Sequence, residues 1–440
     1  MKNSKIESLS WKTFFISLVF CLCGFQLWAG PGAGNTETSS LKFSFSHRVR
    51  FVTWDNAIHL DKDAGSAATF NRHRTSLGAV FAPGDRWEFA LKLTNEFRIY
   101  YKPKGRTFNF NEVFFDNLYI KARPFSFPLT ITAGRQNIML GEGFVVMDGH
   151  PLDGSRSIYF NALRLDYRPA EGQSLTAFYT YQPQTDTWLP LLNDRQQALI
   201  EQPEEGIGLY YSGAFGVEGL ETYIIRKNIR PSEIRPVRSS INTAGARMRF
   251  SLEQRTSLTA EAAYQGGSYG DAGRSAFGGY AHLDFMIPEN SPLAGSLTLG
   301  GLFLSGDDPG TPEMEGWDPL FSRWPKWSES YIYTLIPEQG GRVAYWNNLS
   351  SIYSTVNLNL AASVGTSLTY HRLHAHRRQS ASGMFGAGRI RGDLFIFILN
   401  LKFHSSLSGH IRWERFIPGN YYFPKADRYH WLRLELMYRF

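Results

Sequence analysis

The sequence predicts an all-β protein, a transmembrane antiparallel barrel of about 18 strands, or about 16 if the strand boundaries shift. Three features lead to this prediction. The chain ends in an alternating segment that stops on Phe440, similar alternating segments recur along the whole chain, and aromatic residues make up 15% of it. Short periplasmic turns and long extracellular loops are expected to join the strands.

The carboxyl-terminal segment alternates between apolar and polar side chains. Its two parities are Leu432, Leu434, Leu436, Tyr438 and Phe440 on one side, and Arg433, Glu435, Met437 and Arg439 on the other. Such alternation predicts a strand with one apolar and one polar face. A soluble protein could cover a core with it, but an aromatic terminus is typical of the closing strand of an outer-membrane barrel, which contacts lipid on the apolar side.

The amino terminus predicts export. Residues 1–29 combine three lysines, an apolar run and a small-residue cleavage point at Ala29, which together make a secretory signal peptide. Cys21 and Cys23, both inside this segment, are the only cysteines, so the mature barrel of residues 30–440 is predicted to be free of thiols. The predicted location is the bacterial outer membrane.

Composition excludes a helical membrane protein and fits a barrel. No apolar stretch of roughly 18 residues follows the signal segment. The 33 Phe, 22 Tyr and 11 Trp suit the two interfacial girdles of a barrel. The formal charge is +7, and arginine is the prevailing basic residue. Guanidinium groups bind carboxylates bidentately, which favours anionic partners, although compositional bias together with lipopolysaccharide contact is an equally plain explanation.

Period-two segments are spaced along the chain with connections that alternate in length. Tight turns containing Pro, Gly and Glu follow even-numbered strands, whereas long loops such as 137–157, 183–205 and 305–348 follow odd-numbered ones. Both termini in the periplasm would require this separation. The strands are predicted to start near Leu41, Thr69, Arg86, Asn111, Leu129, Ile158, Ser174, Gly206, Leu220, Ser240, Thr256, Ala276, Ser296, Leu349, Ser367, Arg391, Ser405 and Tyr429.

Several predicted strands place arginines on the parity opposite their apolar face. A lipid-facing arginine at the midplane would cost about 2–4 kcal/mol, so these side chains are assigned to the lumen. In the first strand His47 interrupts the apolar face. The charges could pair across strands and stiffen the wall, or they could make an electropositive channel that attracts polyanions. The candidate lumen residues are Arg48, Arg50, Arg72, Arg74, Arg164, Arg247, Arg249, Arg412 and Arg433.

Two stretches resemble the alginate-export family of outer-membrane barrels. The first holds Gly134-Arg135-Gln136, Gly141-Glu142-Gly143, Asp148-Gly149, Asp153-Gly154-Ser155-Arg156 and Ala162-Leu163-Arg164-Leu165-Asp166-Tyr167. The second holds Leu304-Ser305-Gly306-Asp307-Asp308 and Trp317-Asp318-Pro319-Leu320-Phe321. The resemblance implies an 18-stranded monomeric barrel with an arginine-lined pore, and in the type member the export of an anionic polysaccharide.

The resemblance adds Arg135, Asp148, Asp153 and Arg156 to the candidate substrate-binding residues. By parity Arg135 falls on the lipid side, unless a bulge at Gly134 turns it inward. The other three are loop residues, which could fold into the pore mouth or form hydrogen bonds within the loop.

Three functions remain open at this point. The first is passive diffusion of an anionic polysaccharide or oligosaccharide, the second is a general or small-solute porin, and the remote third is an outer-membrane hydrolase. No nucleophile elbow, phosphate loop or zinc-binding helix motif appears, so neither an enzyme nor a cofactor is predicted. The expected partners are the anionic saccharide, outer-membrane lipid and lipopolysaccharide, with no nucleic acid.

Two groups of residues carry potential metal ligands. His374 and His376 share a face of one strand end, and an acidic loop carries potential oxygen ligands for Ca²⁺. Exposed loop histidines and a solvated acidic loop are the simpler interpretations, and no metal is predicted. The acidic residues are Asp307, Asp308, Glu313, Glu315 and Asp318.

Overall fold

The structure is a computed structural model. It describes residues 39–57, 59–106, 110–147, 159–189, 191–194, 196, 199–214, 219–233, 235–288, 291, 294–322, 327–328, 346–379 and 385–440. The predicted signal peptide and the candidates Asp148, Asp153 and Arg156 lie outside these residues. No helix in the described ranges is long and apolar enough to cross a membrane.

Eighteen antiparallel strands close into one barrel, which confirms the predicted fold class and the larger of the two expected strand numbers. The sheet closes where the first strand pairs with the last, with Arg50 opposite Glu435. The barrel strands are β1 (Ser40–Trp54), β2 (Ala68–Ala82), β3 (Trp87–Lys102), β4 (Val113–Ala122), β5 (Leu129–Gln136), β7 (Phe160–Tyr167), β8 (Ser174–Gln182), β9 (Glu204–Gly213), β10 (Gly219–Ile229), β11 (Ser239–Glu253), β12 (Thr256–Tyr269), β13 (Ala272–Ile287), β14 (Gly295–Leu304), β16 (Leu349–Ala361), β17 (Val364–His374), β18 (Ile390–His404), β19 (Leu407–Pro418) and β20 (Tyr429–Arg439).

Within the described ranges, three short elements lie in the connections. A 3-10 helix (Lys62–Ala64) follows β1, with Asp61 as its N-cap and the left-handed Gly65 as its C-cap. The two-residue strands β6 (Val146–Met147) and β15 (Phe321–Ser322) pair with each other in parallel. They belong to the long connections between β5 and β7 and between β14 and β16, so these two loops meet.

The connections differ between the two ends of the barrel. At one end, which we call the turn end, β11 and β12 are joined by residues 254–255 and β16 and β17 by residues 362–363. At the other, the loop end, the connections span residues 183–203 and 305–348. One connection at the loop end is also tight, because residues 270–271 join β12 to β13 and Gly270 adopts a φ of 59°.

The two faces of each strand differ in exposure as the alternation predicts. On β20 the outward side chains Leu434 and Leu436 are 41% and 47% exposed, whereas the inward Arg433 is 1% exposed. Aromatic side chains surround the turn end on the outer face, where Phe45 stacks on Phe440 with ring centroids 5.6 Å apart. The apolar outward face therefore meets lipid and the polar inward face lines the lumen.

Candidate functional site

Six of the predicted lumen arginines form one continuous cluster, which we call the arginine ladder: Arg48, Arg50, Arg72, Arg74, Arg412 and Arg433. The strand register sets arginines directly opposite one another, because Arg48 pairs with Arg74, Arg50 with Arg72 and Arg412 with Arg433. Like charges in this arrangement are destabilising unless carboxylates lie between them. The ladder therefore depends on the acidic residues of the same wall.

Three glutamates stabilise the ladder. Glu96 on β3 accepts from Arg72 and Arg74 at 2.6 and 2.7 Å. Glu435 on β20 binds Arg50, and Glu414 on β19 lies 2.7 Å from the Nε of Arg412. Each glutamate contacts guanidinium groups of its own or the next strand, so the charges pair as the stiffened-wall interpretation expected.

Among the described residues of this wall, positive charge nevertheless exceeds negative charge. Arg98, on the inward parity of β3 and opposite Arg72, extends the ladder toward the loop end. Within the described ranges, the three glutamates named above lie among the six ladder arginines and Arg98. All six ladder residues are largely or wholly buried in the inner wall of the barrel.

The opposite wall, formed by β9 to β13, carries a different arrangement. Three tyrosines face inward there, and Tyr223 and Tyr280 donate to Glu261 at 2.9 and 2.8 Å. Tyr210 donates to Glu221, which also accepts from Arg247 at 2.9 Å. This wall places hydroxyl and carboxylate groups across the lumen from the ladder.

Two of the described loop segments fold into the lumen between these walls. We call residues 138–147 and 305–322 together the lumen plug. Arg247 on β11 lies 3.0 Å from Glu142 of the plug, and a Cβ at Gly141 would meet the inward side chain of Tyr210. The described parts of the loops 137–157 and 305–348 therefore occupy the pore, a point that the sequence left undecided.

The plug is held by apolar packing at its centre. Phe144 is fully buried and stacks on Trp317, with centroids 5.1 Å apart and planes 18° apart. Trp346 and Trp327 approach the same ring edge-on. A glycine in the wall makes room for one indole, because a Cβ at Gly278 would lie 2.6 Å from Trp317. The plug is therefore packed against the inner wall at a defined position, which we call its seat.

Polar contacts fix the plug at its edges. Asp318 accepts from Lys227 at 3.5 Å, and its backbone exchanges two hydrogen bonds with the side chain of Gln265. Ser322 donates to the carbonyl of Gly143 at 2.6 Å, which joins the two segments of the plug.

Four of the five acidic residues considered for Ca²⁺, Asp307, Asp308, Glu315 and Asp318, contact protein groups. Asp308 and Glu315 bind Arg377 at 2.8 and 3.2 Å, and Asp307 accepts from the backbone nitrogen of Glu315. Among the described residues, no group of three His, Cys, Asp or Glu side chains is placed to hold a metal ion.

Solved structures provide the comparison for this arrangement. OccAB2 of Acinetobacter baumannii matches with a TM-score of 0.59 and 11% identity, covering 93% of this chain and 99% of that one. OccK11 (OpdR) of Pseudomonas aeruginosa matches with a TM-score of 0.56 and 12% identity, covering 91% of this chain and 95% of that one. OccD3 (OpdP) of the same organism matches with a TM-score of 0.53 and 12% identity, covering 93% of both chains. The barrel has the fold of an outer-membrane porin.

The sequence comparisons add no closer assignment. No protein-family profile matches the chain, and no curated protein matches it significantly. At 11–12% identity the solved structures establish the fold alone. They support a porin-like barrel of the outer membrane and give no support for the alginate-export family in particular.

In this porin-like barrel Arg135 lies apart from the ladder. It shares a parity with the exposed Ala133, and its guanidinium binds both carboxylate oxygens of Asp186 at 2.7 and 2.9 Å. Tyr159 stacks beneath it at 3.8 Å, and Asn161 accepts from its Nε. Arg135 lies on the outward side of its strand and is buried beneath the loop that carries Asp186. Gly134 has a positive φ of 121°, but this does not turn Arg135 toward the lumen.

The remaining predicted arginines are dispersed. Arg164 faces inward on β7 and pairs with Asp166 at 2.8 Å, and Arg247 anchors the plug on the wall opposite the ladder. Arg249 lies exposed on the inward parity of β11 near the turn end. Sequence reasoning did not single out Arg98, although its parity was readable. It also passed over Phe144, whose burial no local pattern signals.

Removing one partner of the Arg135–Asp186 pair is expected to destabilise the barrel strongly. The Arg135→Met substitution removes the guanidinium that binds both oxygens of the buried Asp186 carboxylate, and breaking a buried ion pair from one side costs about 3–5 kcal/mol. The double variant Arg135→Met/Asp186→Leu removes both charges and should recover most of that loss. Urea unfolding in lipid vesicles measures both. Equal stability of the single and double variants would contradict the importance of this pair.

Proposed function

We propose that this chain is an outer-membrane channel for the passive diffusion of small solutes, with a preference for anions. The observation that carries the proposal is the arginine ladder, which runs along one wall of a lumen that the plug narrows. We further propose that the chain reaches the outer membrane through a cleaved signal peptide, residues 1–29.

The ladder supplies several anion-binding positions rather than one. Neighbouring inward residues on a strand, such as Arg48 and Arg50, are spaced by roughly 7 Å along it. A carboxylate or phosphate can therefore exchange partners over short steps. Conduction requires binding that is favourable enough for entry and divided among enough sites for exit. A row of guanidinium groups with shared glutamates meets both requirements.

The plug favours small solutes over a thick polymer. Phe144, Trp317 and their neighbours occupy the lumen with closely packed aromatic rings, so a wide polysaccharide would need to displace them. The tyrosines and glutamates across from the ladder add hydrogen-bonding groups for the uncharged part of a solute.

Passage of an anionic polysaccharide or oligosaccharide is the second candidate. The ladder favours it because its charge suits uronate carboxylates, and the aromatic residues of the plug offer stacking surfaces for sugar rings. This is the function that the likeness to the alginate-export family implied. An outer-membrane hydrolase, the third function considered, has no catalytic arrangement among the described residues that we can name.

Bilayer electrophysiology tests the proposal. The protein is inserted into a planar bilayer under a salt gradient, and the reversal potential is measured; we expect anions to carry most of the current. Liposome swelling should then show faster entry of small carboxylates than of neutral sugars of the same size. Equal permeability to anions and cations would overturn the anion preference. Block by micromolar oligouronates would move the assignment to the second candidate.

A further inference from the structure

A group of polar side chains faces the lipid on the first three strands. On β1 the inward Arg48 and Arg50 are buried, so His47, which has the opposite parity, points outward. On β2 the inward Arg72 is buried in the same way, and His73 points outward. The strand register places the two imidazoles next to each other, with ring centroids 5.9 Å apart. The interruption of the apolar face at His47 is therefore real.

The two histidines lie within the apolar band of the barrel. Phe43 and Phe45 mark the aromatic girdle at the turn end, since Phe45 stacks on the terminal Phe440. His47 follows Phe43 by four residues, roughly 13 Å along the strand. The apolar band of a barrel is about 25 Å tall, so this position is well inside it even with tilted strands. Polar side chains at that depth are rare and mark functional surfaces.

More polar side chains surround them. His47 shares a hydrogen bond of 2.8 Å with Thr75, and Asn71 donates to Tyr101 at 2.8 Å. Asn95 donates to the carbonyl of Phe110 at 2.6 Å. We call the residues His47, Asn71, His73, Thr75 and Asn95 the histidine patch.

His73 is the member of the patch that lacks hydrogen-bond partners among the described residues. Its ring stacks on Phe97 at 4.8 Å and contacts His47, but its nitrogens have no hydrogen-bond partner within the described ranges. Acyl chains offer no donor or acceptor, and an unsatisfied polar group in hydrocarbon is costly. The outward face of β20, which pairs with β1, carries Leu434 and Leu436 and is an ordinary apolar lipid-facing surface.

We propose that the histidine patch is a contact between two copies of this chain within the membrane. An imidazole both donates and accepts, so His73 can bond to the same patch of a second copy related by a two-fold axis. Polar side chains that bond across an interface hold membrane proteins together where apolar burial cannot. The aromatic and aliphatic residues around the patch, Phe51, Leu77 and Phe97, pack at its rim. This arrangement departs from the monomer that the family likeness implied.

Cysteine crosslinking tests the contact in the full chain. In a background that lacks Cys21 and Cys23, Val49→Cys places a thiol beside His73 on the outer face, since Val49 pairs with His73. Ile224→Cys places one on the outer face of β10, across the barrel. In vesicles a short bis-maleimide should join two chains through residue 49 and leave the residue 224 variant uncrosslinked. Absence of a crosslink through residue 49, or equal crosslinking of both variants, would overturn the proposal.

Mass measurement in lipid nanodiscs gives a second test. We expect twice the protomer mass for the wild type and the protomer mass for His47→Leu/His73→Leu. The control Thr222→Leu, a polar-to-apolar change on the outer face of β10, should remain a dimer. A monomeric wild type, or a double variant that remains dimeric, would contradict a histidine-mediated contact.

Discussion

The Phe144→Ala variant is expected to conduct far more freely than the wild type. Phe144 is fully buried at the centre of the plug and contacts Trp317, Trp327 and Trp346. Loss of a buried phenyl ring costs about 3–5 kcal/mol. If that cost falls on the seated plug, its equilibrium with an unseated state shifts about a hundredfold or more, since about 1.4 kcal/mol corresponds to a factor of ten. Single-channel recording should show larger and noisier conductance.

Phe277→Ala is the matched control for this experiment. Phe277 lies on the outward parity of β13 and is 57% exposed, one residue before the glycine that seats Trp317. Its truncation changes the lipid-facing surface and leaves the plug intact, so conductance should remain at the wild-type level. If Phe144→Ala conducted like the wild type while Phe277→Ala did not, the plug would not be the element that limits passage.

The Arg48→Gln/Arg74→Gln variant is expected to lose most of the anion preference. The two residues are opposite each other on β1 and β2. Each substitution leaves one ion pair intact, because Glu435 still binds Arg50 and Glu96 still binds Arg72. A hydrogen bond to a charged group contributes about 1.5–3 kcal/mol, so removing one guanidinium should lower anion occupancy by roughly tenfold or more. The reversal potential under a salt gradient measures the change.

Arg226→Gln serves as the control for the ladder. Arg226 is exposed on the outward parity of β10, so it carries the same charge without access to the lumen wall. We expect its reversal potential to match that of the wild type. An equal loss of selectivity in both variants would show that net charge, and not the ladder, sets the preference.

The alternation of side chains was sufficient to predict the wall of the barrel. The approximate strand number and the two faces follow from a period of two, because a strand has to match its environment on each side along its own length, whereas the choice of 18 over 16 needed the structure. The inward placement of Arg48, Arg72 and Arg433 could be read in the same way, since an arginine cannot face lipid cheaply. The sequence also showed that His47 interrupts the apolar face of the first strand.

Only the tertiary structure decided what fills and tunes the lumen. That Phe144 meets Trp317, or that Arg72 meets Glu96, depends on the register of strands and on loops that return through space from distant parts of the chain. Arg135 acquires its partner Asp186 in the same way. A strand's faces are dictated locally by lipid on one side and water on the other. The closure of the barrel is a non-local event, and it alone brings the ladder together and gives the plug its seat.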